Sequence, residues 1–348
     1  MSKTPNLSRG PLYGLAAAAL FGVSTPLAKL LLGEIPPVLL AGLLYLGSGL
    51  GLTLWRAARR SEEHLTRADW PSLAGAIICG GIFGPLLLMQ GLARTAATTA
   101  SLLLNLEGAF TALVAWFVFR ENFDRRILAG MIAITAGAAL LSWSGRPEWN
   151  AVIGPLLIAG ACACWALDNN FTRRISTADP VLIAGLKGGV AGMVNVTLGF
   201  ALGATRPPAA ALASAGVVGL LGYGVSLVLF IQALRHVGAA RTAAYFSTAP
   251  FFGAATSVLI VREPVTGWLL AAGALMAVGV WLHVTERHLH RHVHEEIVHT
   301  HWHTHDEHHQ HSHEHPVAPG TWHSHKHKHE RLEHTHAHYP DIHHRHEH

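Results

Sequence analysis

Most of the chain consists of apolar stretches separated by short groups of Gly, Pro and charged residues. About 20 consecutive apolar residues are enough for an α-helix to cross the hydrocarbon core of a bilayer. The pattern predicts ten such helices, at residues 12–32, 36–55, 70–92, 96–119, 125–143, 152–172, 181–204, 212–234, 241–261 and 265–285. We therefore expect an all-α, polytopic integral membrane protein. Its first helix is not a cleaved signal, because apolar residues continue past Ala17-Ala18-Ala19.

The pattern changes at His288, where the apolar stretches end. Three of the 27 histidines precede this residue, so 24 lie in the last 61 residues. In three tracts histidine occupies every second position: His299, His301, His303 and His305; His309, His311, His313 and His315; His323, His325, His327 and His329. In an extended chain this spacing aligns the rings on one side. Nine acidic residues are mixed in, which distinguishes the segment from a homopolymeric purification tag.

Imidazole nitrogens are good ligands for zinc, nickel, cobalt and copper. The tail has few apolar residues to bury, so we expect it to be disordered in the absence of metal and to bind these divalent ions. No cofactor is required by the rest of the chain.

Basic residues near the helix ends predict the orientation, because short loops rich in Lys and Arg stay in the cytoplasm. With a cytoplasmic N-terminus, fifteen basic residues flank the spans on that side and four lie outside: Arg94, Arg146, Arg206 and Arg262. We therefore expect the inner, cytoplasmic membrane of a cell, with both termini and the histidine-rich tail in the cytoplasm.

Composition argues against several other classes of protein. The net charge of +4 comes from arginines in loops, and there is neither a phosphate-binding glycine motif nor a basic and aromatic stripe, so we expect no nucleic-acid partner. All three cysteines lie within predicted spans, which favours small buried residues over disulfides. The segment from His294 to His299 approaches the zinc-protease pattern, but its second histidine is one position too far along, so no enzyme is predicted.

The predicted spans form two copies of one unit. Gly10-Pro11-Leu12 recurs 144 residues later as Gly154-Pro155-Leu156, and Gln90 recurs 142 residues later as Gln232. Each copy holds five spans, an odd number, so the second copy starts on the opposite side of the membrane and the repeats are inverted. Inverted repeats are an architecture of secondary transporters. The predicted divisions are 1–145 and 146–287 for the repeats and 288–348 for the tail.

The sequence resembles the EamA-like branch of the drug/metabolite transporter superfamily. It shares ten spans in two halves, a basic residue late in the first helix of each half (Lys29 and Arg173), and an Arg-Glu pair after the fourth (Arg120-Glu121 and Arg262-Glu263). The resemblance implies movement of small metabolites through a cavity between the halves, by coupling to a proton or other gradient or by exchange. The second helices of this family often carry a cation, which here is Lys187 in the second half but Leu44 in the first.

Ionisable residues inside a bilayer are functional candidates, because a charge there costs several kcal/mol. Four lie within predicted spans: Lys29, Glu107, Asp168 and Lys187. Glu107 is expected near the middle of the fourth span, far from any helix end. It either lines the substrate path or carries a proton, or it makes a structural hydrogen bond between helices. Lys29 is close to the end of its span, so its side chain either joins the path or extends to the interface.

The sixth span places Trp165, Asp168, Asn169 and Thr172 on one helical face. Asp168 and Lys187 have similar predicted depths, which allows an ion pair. That pair is either a gate broken during transport or a structural neutralisation of both charges. Asn105, Gln90 and Gln232 complete the candidate substrate pathway, and hydrogen bonds between helices are an equal explanation for the two glutamines.

Two functions fit these features. The first is a secondary transporter of small organic metabolites, an exporter or exchanger that works by alternating access and carries a metal-binding tail. The second is an exporter of nickel, cobalt or zinc whose tail collects the ions. The first is favoured because Glu107 and Asp168 are the only metal-ligating groups at depth. The expected partners are the lipid bilayer, a small-molecule substrate and divalent metal ions at the tail, and a homodimer is one option. A membrane-anchored metal store would leave the inverted repeat unexplained.

Overall fold

A computed structural model of the chain describes residues 9–59, 65–119, 125–142, 149–175, 178–284, 288–294, 297–303, 323–329 and 332–338. The helical region, Arg9–Glu286, forms one compact unit, and the histidine-rich tail belongs to a second.

The helical unit contains thirteen α-helices within the described residues, interrupted by three π-helical segments. The α-helices are α1 (Arg9–Leu31), α2 (Pro37–Arg59), α3 (Trp70–Ala76), α4 (Gly84–Arg94), α5 (Ala97–Leu103), α6 (Leu106–Phe119), α7 (Arg125–Ser142), α8 (Trp149–Arg174), α9 (Pro180–Ala201), α10 (Ala209–Gly219), α11 (Ser226–Phe246), α12 (Ala249–Thr256) and α13 (Gly267–Val284). The π-helical segments are Ile77–Phe83, Leu220–Val225 and Ser257–Val261.

Seven helices of the described chain are long and apolar enough to cross a membrane, and two shorter apolar helices, Leu128–Ser142 and Gly267–Leu282, accompany them. These nine correspond to nine of the ten predicted spans. The remaining one, predicted at 96–119 as a continuous helix, is divided into α5 and α6. The chain is therefore a multi-pass, helical membrane protein.

The second helices of the two repeats, α2 and α9, pack antiparallel, from Leu39 beside Gly199 to Thr53 beside Gly185. Glycines let the two backbones approach closely, as is common where membrane helices cross. A Cβ atom added to Gly188 would lie 2.7 Å from Gly49 N and 2.8 Å from Tyr45 O. The fifth helices, α7 and α13, also pack closely, with the repeat-related Gly137 and Gly279 at their crossing.

The first helix of each repeat packs against the third helix of the other repeat. Asp168 on α8 lies against Gly80, and Ser24 on α1 lies against Gly222. The repeat offsets relate these two contacts, since 168 − 24 = 144 and 222 − 80 = 142. The crossing that places Asp168 is therefore present twice, with a carboxylate in one copy and a hydroxyl in the other.

The third helices of both repeats contain a π-helical segment at related positions. Shifting Ile77–Phe83 by 142 residues gives 219–225, which overlaps Leu220–Val225. In both segments the amide that follows donates five residues back, from Gly84 to Cys79 O and from Ser226 to Leu221 O. Such wide turns are rare and are often found at functional sites.

The fourth helices of both repeats break at related positions, which sequence patterns did not predict. The first break lies between α5 and α6, and the second, at Ser247 and Thr248, lies between α11 and α12. Short polar side chains donate to carbonyls three residues back: Asn105 Nδ2 to Leu102 O (2.9 Å), Ser247 Oγ to Ala244 O (2.7 Å) and Thr248 Oγ1 to Tyr245 O (2.6 Å). These bonds satisfy backbone groups for which a bilayer offers no water.

The chain reverses direction within α11, where a loop was predicted between the eighth and ninth spans. Along α1, Ser24, Ala17 and Gly10 meet Gly222, Ser226 and Val237 in turn. By contrast Gly14 meets Tyr245 and Gly22 meets Phe252. In the first set, the partner's residue number rises as the number along α1 falls; in the second set, the two numbers rise together. The two parts of the chain therefore run in opposite directions beside α1.

The tail contains four described strands: β1 (His288–His294), β2 (Ile297–His303), β3 (His323–His329) and β4 (Leu332–His338). β1 pairs antiparallel with β4, and β2 with β3. The strands lie where histidine alternates with other residues. A period of two is that of a strand.

Candidate functional site

The predicted ion pair between Asp168 on α8 and Lys187 on α9 is present and buried, since the two residues are 5% and 4% exposed. Lys187 Nζ donates to Asp168 Oδ2, and Thr172 Oγ1 donates to Asp168 Oδ1 at 3.0 Å. Both carboxylate oxygens therefore accept a hydrogen bond. The pair is neutral as a unit, which lowers the cost of keeping both groups inside the membrane.

Gly80, in the first π-helical segment, makes the close approach of Asp168 possible. A Cβ atom added at this position would overlap the Asp168 carboxylate. The wide turn also frees the Gly80 carbonyl, because the Gly84 amide donates to Cys79 O and Pro85 has no N–H to give. Two side chains replace the missing backbone donor: Tyr45 OH at 2.7 Å and Trp165 Nε1 at 3.1 Å.

Five aromatic side chains from five spans lie around this point. Phe21 packs edge-on against Trp165 and Tyr223, with ring centroids 5.8 Å apart in both pairs. Tyr45 lies 5.3 Å from Tyr223, and Phe246 lies 5.4 Å from Phe21. We call Phe21, Tyr45, Trp165, Tyr223 and Phe246 the aromatic cluster. It connects both repeats beside the ion pair.

Glu107 lies at the break of the fourth span, in the first turn of α6, and is partly buried. The expectation that no helix end is near it is wrong, because the span is discontinuous. Asn169 Nδ2 on α8 donates to Glu107 Oε1 at 2.7 Å. The partial positive charge of a helix N-terminus favours a carboxylate at this position. The face predicted on α8 contacts two elements. Asn169 contacts α6, while Trp165 and Asp168 contact the first π-helical segment and Thr172 donates to Asp168.

Charge is distributed unequally between the two repeats. The repeat offsets relate Asp168 to Ser24, Lys187 to Leu44 and Glu107 to Ala249. The backbone geometry is repeated, but each of these three ionisable residues has an uncharged residue at the related position of the other repeat. Their combined charge is −1 when all are ionised, because Asp168 and Lys187 cancel and Glu107 remains.

Four other predicted pathway residues lie elsewhere. Lys29 Nζ donates to Leu92 O (2.6 Å) and Thr95 O (2.9 Å), at the carboxyl end of α4. Gln90 Oε1 accepts from Arg94 of the same helix at 2.8 Å. Asn105 is buried and faces Leu102 O and Met276 Sδ, and the backbone oxygen of Gln232 contacts His236. None of the contacts described for these four residues joins them to the aromatic cluster.

The predicted metal ligands are only partly within the described chain. His305, His309, His311, His313 and His315 lie outside the described residues. The register of β2 and β3 pairs His299 with His327, His301 with His325 and His303 with His323, while His329 is opposite Ile297. Within the described residues no group of three or more His, Cys, Asp or Glu side chains is arranged to hold a metal ion.

Sequence reasoning missed Phe21, Tyr45, Tyr223 and Phe246 as site residues. Aromatic residues are ordinary in apolar spans, so none differed from its surroundings in the sequence. Glu263 was noted only as part of the repeat, yet its carboxylate accepts from Ala97 N (2.6 Å) and Thr98 N (2.7 Å) and caps α5. The Gly80-Gly81 pair followed by Pro85 was the available signal for a distorted helix.

Comparison with known proteins agrees with the two-fold architecture. A profile of the EamA-like transporter family matches residues 8–143 and again residues 152–285. The chain belongs to the EamA-like transporter family. The matches end before the histidine-rich tail. The predicted resemblance is confirmed, and this EamA-like transporter is a membrane protein that moves small molecules across a bilayer.

Several relatives of this transporter are similar over most of its length. An uncharacterized transporter of Methanothermobacter thermautotrophicus is 30% identical over 287 residues, which cover 77% of this chain and 84% of that protein. A probable amino-acid metabolite efflux pump of Salmonella typhimurium is 26% identical over 289 residues, covering 78% and 93%.

Two further comparisons concern one repeat and the fold. A probable 4-amino-4-deoxy-L-arabinose-phosphoundecaprenol flippase subunit ArnE of Pseudomonas paraeruginosa is 40% identical over 110 residues, which are 30% of this chain and 93% of the subunit. One solved crystal structure superposes with a TM-score of 0.61 at 19% identity, over 78% of this chain and 94% of that chain. At this identity the likeness shows the fold alone.

Proposed function

We propose that this EamA-like transporter is a secondary transporter that exports or exchanges small organic metabolites by alternating access. The observation that carries the proposal is the repeated distortion of the third and fourth helices around one buried ion pair. Broken helices near the centre of inverted repeats are typical of secondary transporters, because they provide both a binding site and a place to bend. The efflux-pump relative supports organic metabolites as the cargo.

In this proposal some helices form a rigid contact between the repeats and others change shape during transport. α2 and α9 cross through closely packed glycines and form a fixed contact between the repeats. The π-helical segments and the breaks lie at related positions of the two repeats, where the backbone hydrogen bonds are already irregular. Substrate would bind between these elements, next to the aromatic cluster.

The test uses inside-out vesicles that contain the full-length protein and a mixture of cytoplasmic metabolites. We expect mass spectrometry to show that one or a few organic metabolites accumulate under a gradient or by counterflow. Gly80→Val should abolish this accumulation, because a larger side chain displaces Asp168, whereas Gly189→Val should preserve it, because the space beside Gly189 is open. Monodisperse elution of both variants verifies folding. The proposal would be overturned if vesicles that contain the wild-type protein accumulated the same metabolites, to the same extent, as vesicles that lack it.

We propose that the tail binds zinc, nickel, cobalt or copper in the cytoplasm, as an appendage that senses or buffers metal. The observation in favour is the antiparallel register that places histidines opposite one another in β2 and β3. A chain that ends at Arg287 should then insert and transport metabolites normally. If this truncation abolishes resistance to zinc, nickel or cobalt while the spans remain inserted, metal export replaces metabolite export as the function.

A further inference from the structure

Glu107 has no cationic partner among the described residues. Lys187 is engaged with Asp168, and Lys29 donates to carbonyls at the end of α4. Asn169 gives Glu107 a single neutral hydrogen bond, which leaves further acceptor sites on the carboxylate unused. An ionised carboxylate inside a bilayer is costly without a positive partner. The site therefore lacks one positive charge.

The side chains around Glu107 do not close it off completely. Glu107 is only partly buried, and a Cβ atom added to the adjacent Gly108 would meet no atom within 4 Å.

The aromatic cluster begins one helical turn away. Asn169, which binds Glu107, and Trp165, which packs against Phe21, are four residues apart on α8 and so lie on the same face. Tyr223, in the same cluster, is buried, and Gly222 beside it packs against Ser24. Aromatic faces attract cations and also accommodate apolar groups.

We propose that the substrate is an organic cation, an amine with an aromatic or other apolar body. Its ammonium group binds Glu107 and its body lies against the aromatic cluster. This inference rests on the proposed transport function and names the substrate class. An anionic substrate would place a second negative charge beside a carboxylate that already lacks a partner among the described residues, and Lys187 is held by Asp168.

The test compares three probes of nearly equal size and different charge: 2-phenylethylamine, 2-phenylethanol and phenylacetate. Each is measured by equilibrium dialysis against the full-length protein in detergent. We expect the amine to bind about tenfold or more tightly than the alcohol, since a hydrogen bond to a charged group is stronger than a neutral one. Glu107→Gln should remove that advantage and change binding of the alcohol little.

Glu34→Gln is the matched control, because Glu34 is an exposed carboxylate outside the spans. It should leave the binding of all three probes unchanged. Glu107→Asp should retain part of the preference for the amine, which a purely structural role of Glu107 would not produce. Tighter binding of phenylacetate, equal binding of the three probes, absence of binding, or an amine affinity insensitive to Glu107→Gln would each overturn the inference.

The vesicle experiment separates this inference from the proposed function. Accumulation of neutral or anionic metabolites would overturn the cation assignment and leave the transport proposal intact. Amine binding that depends on Glu107, with no metabolite moved by any gradient or exchange, would support the cation site and overturn the transport proposal.

Discussion

Asp168 and Lys187 can both remain inside the membrane because each neutralises the other. Their contact depends on Gly80, which leaves space for the carboxylate, and on Thr172, which binds its second oxygen. The pair could be predicted from sequence, because both charges lie at similar depths on adjacent spans. The tyrosines and phenylalanines could not, because their role arises only when five spans meet.

Neutralising one partner of the ion pair should be worse than neutralising both. Lys187→Met and Asp168→Asn should each lower the free energy of unfolding by about 3–5 kcal/mol, because each leaves an uncompensated buried charge or lost hydrogen bonds. The double variant should lose less free energy of unfolding than either single variant, and therefore much less than the sum of the two losses. Chemical denaturation in detergent micelles measures all four proteins. Additive losses would mean that the two side chains do not interact.

At the scale of elements, the repeats share the irregularities of their third and fourth helices. Hydropathy predicted the lengths and order of the spans well, because bilayer thickness limits them. It could not reveal the breaks or π-helical segments, because Leu-Asn-Leu-Glu and Ile-Cys-Gly-Gly have no apolar periodicity that differs from a continuous helix. These features depend on side chains that satisfy displaced carbonyls, such as Asn105 and Tyr45.

Two neighbouring glycines on α9 provide a test of how closely it packs against α2. Gly188→Ala should lower the free energy of unfolding of the protein in detergent by about 1–3 kcal/mol, because the added Cβ atom would overlap the backbone of α2. Chemical denaturation in detergent measures this change. Gly189→Ala should be neutral or stabilising by up to about 1 kcal/mol, since it adds helix propensity and meets open space. Equal effects of the two changes would contradict the crossing described for α2 and α9.

At the scale of the whole molecule, the two repeats pack as antiparallel partners into one compact unit. The sequence repeat predicted this inversion, because five spans in the first copy reverse the direction of the second. Interactions at the helix ends agree with this alternation of helix direction across the membrane. Arg56 binds Asp179 (3.3 Å) at one end of the spans, while Lys29 and Glu263 bind the segment between α4 and α5 at the other. Which end faces the cytoplasm depends on charges in the loops and on the membrane.

The uneven distribution of basic residues predicts that the end with Arg56 and Asp179 is cytoplasmic. A reporter that is active only in the cytoplasm should therefore be active when fused after His348, and a reporter active only outside should be inactive there. The reverse result is expected for fusions after Gly203, because that residue lies at the opposite end, between α9 and α10. This pair of fusions tests the orientation without relying on transport. An externally active reporter at His348 would place the histidine-rich tail outside the cell, where it could not respond to cytoplasmic metal, and the sensing role proposed for it would be lost.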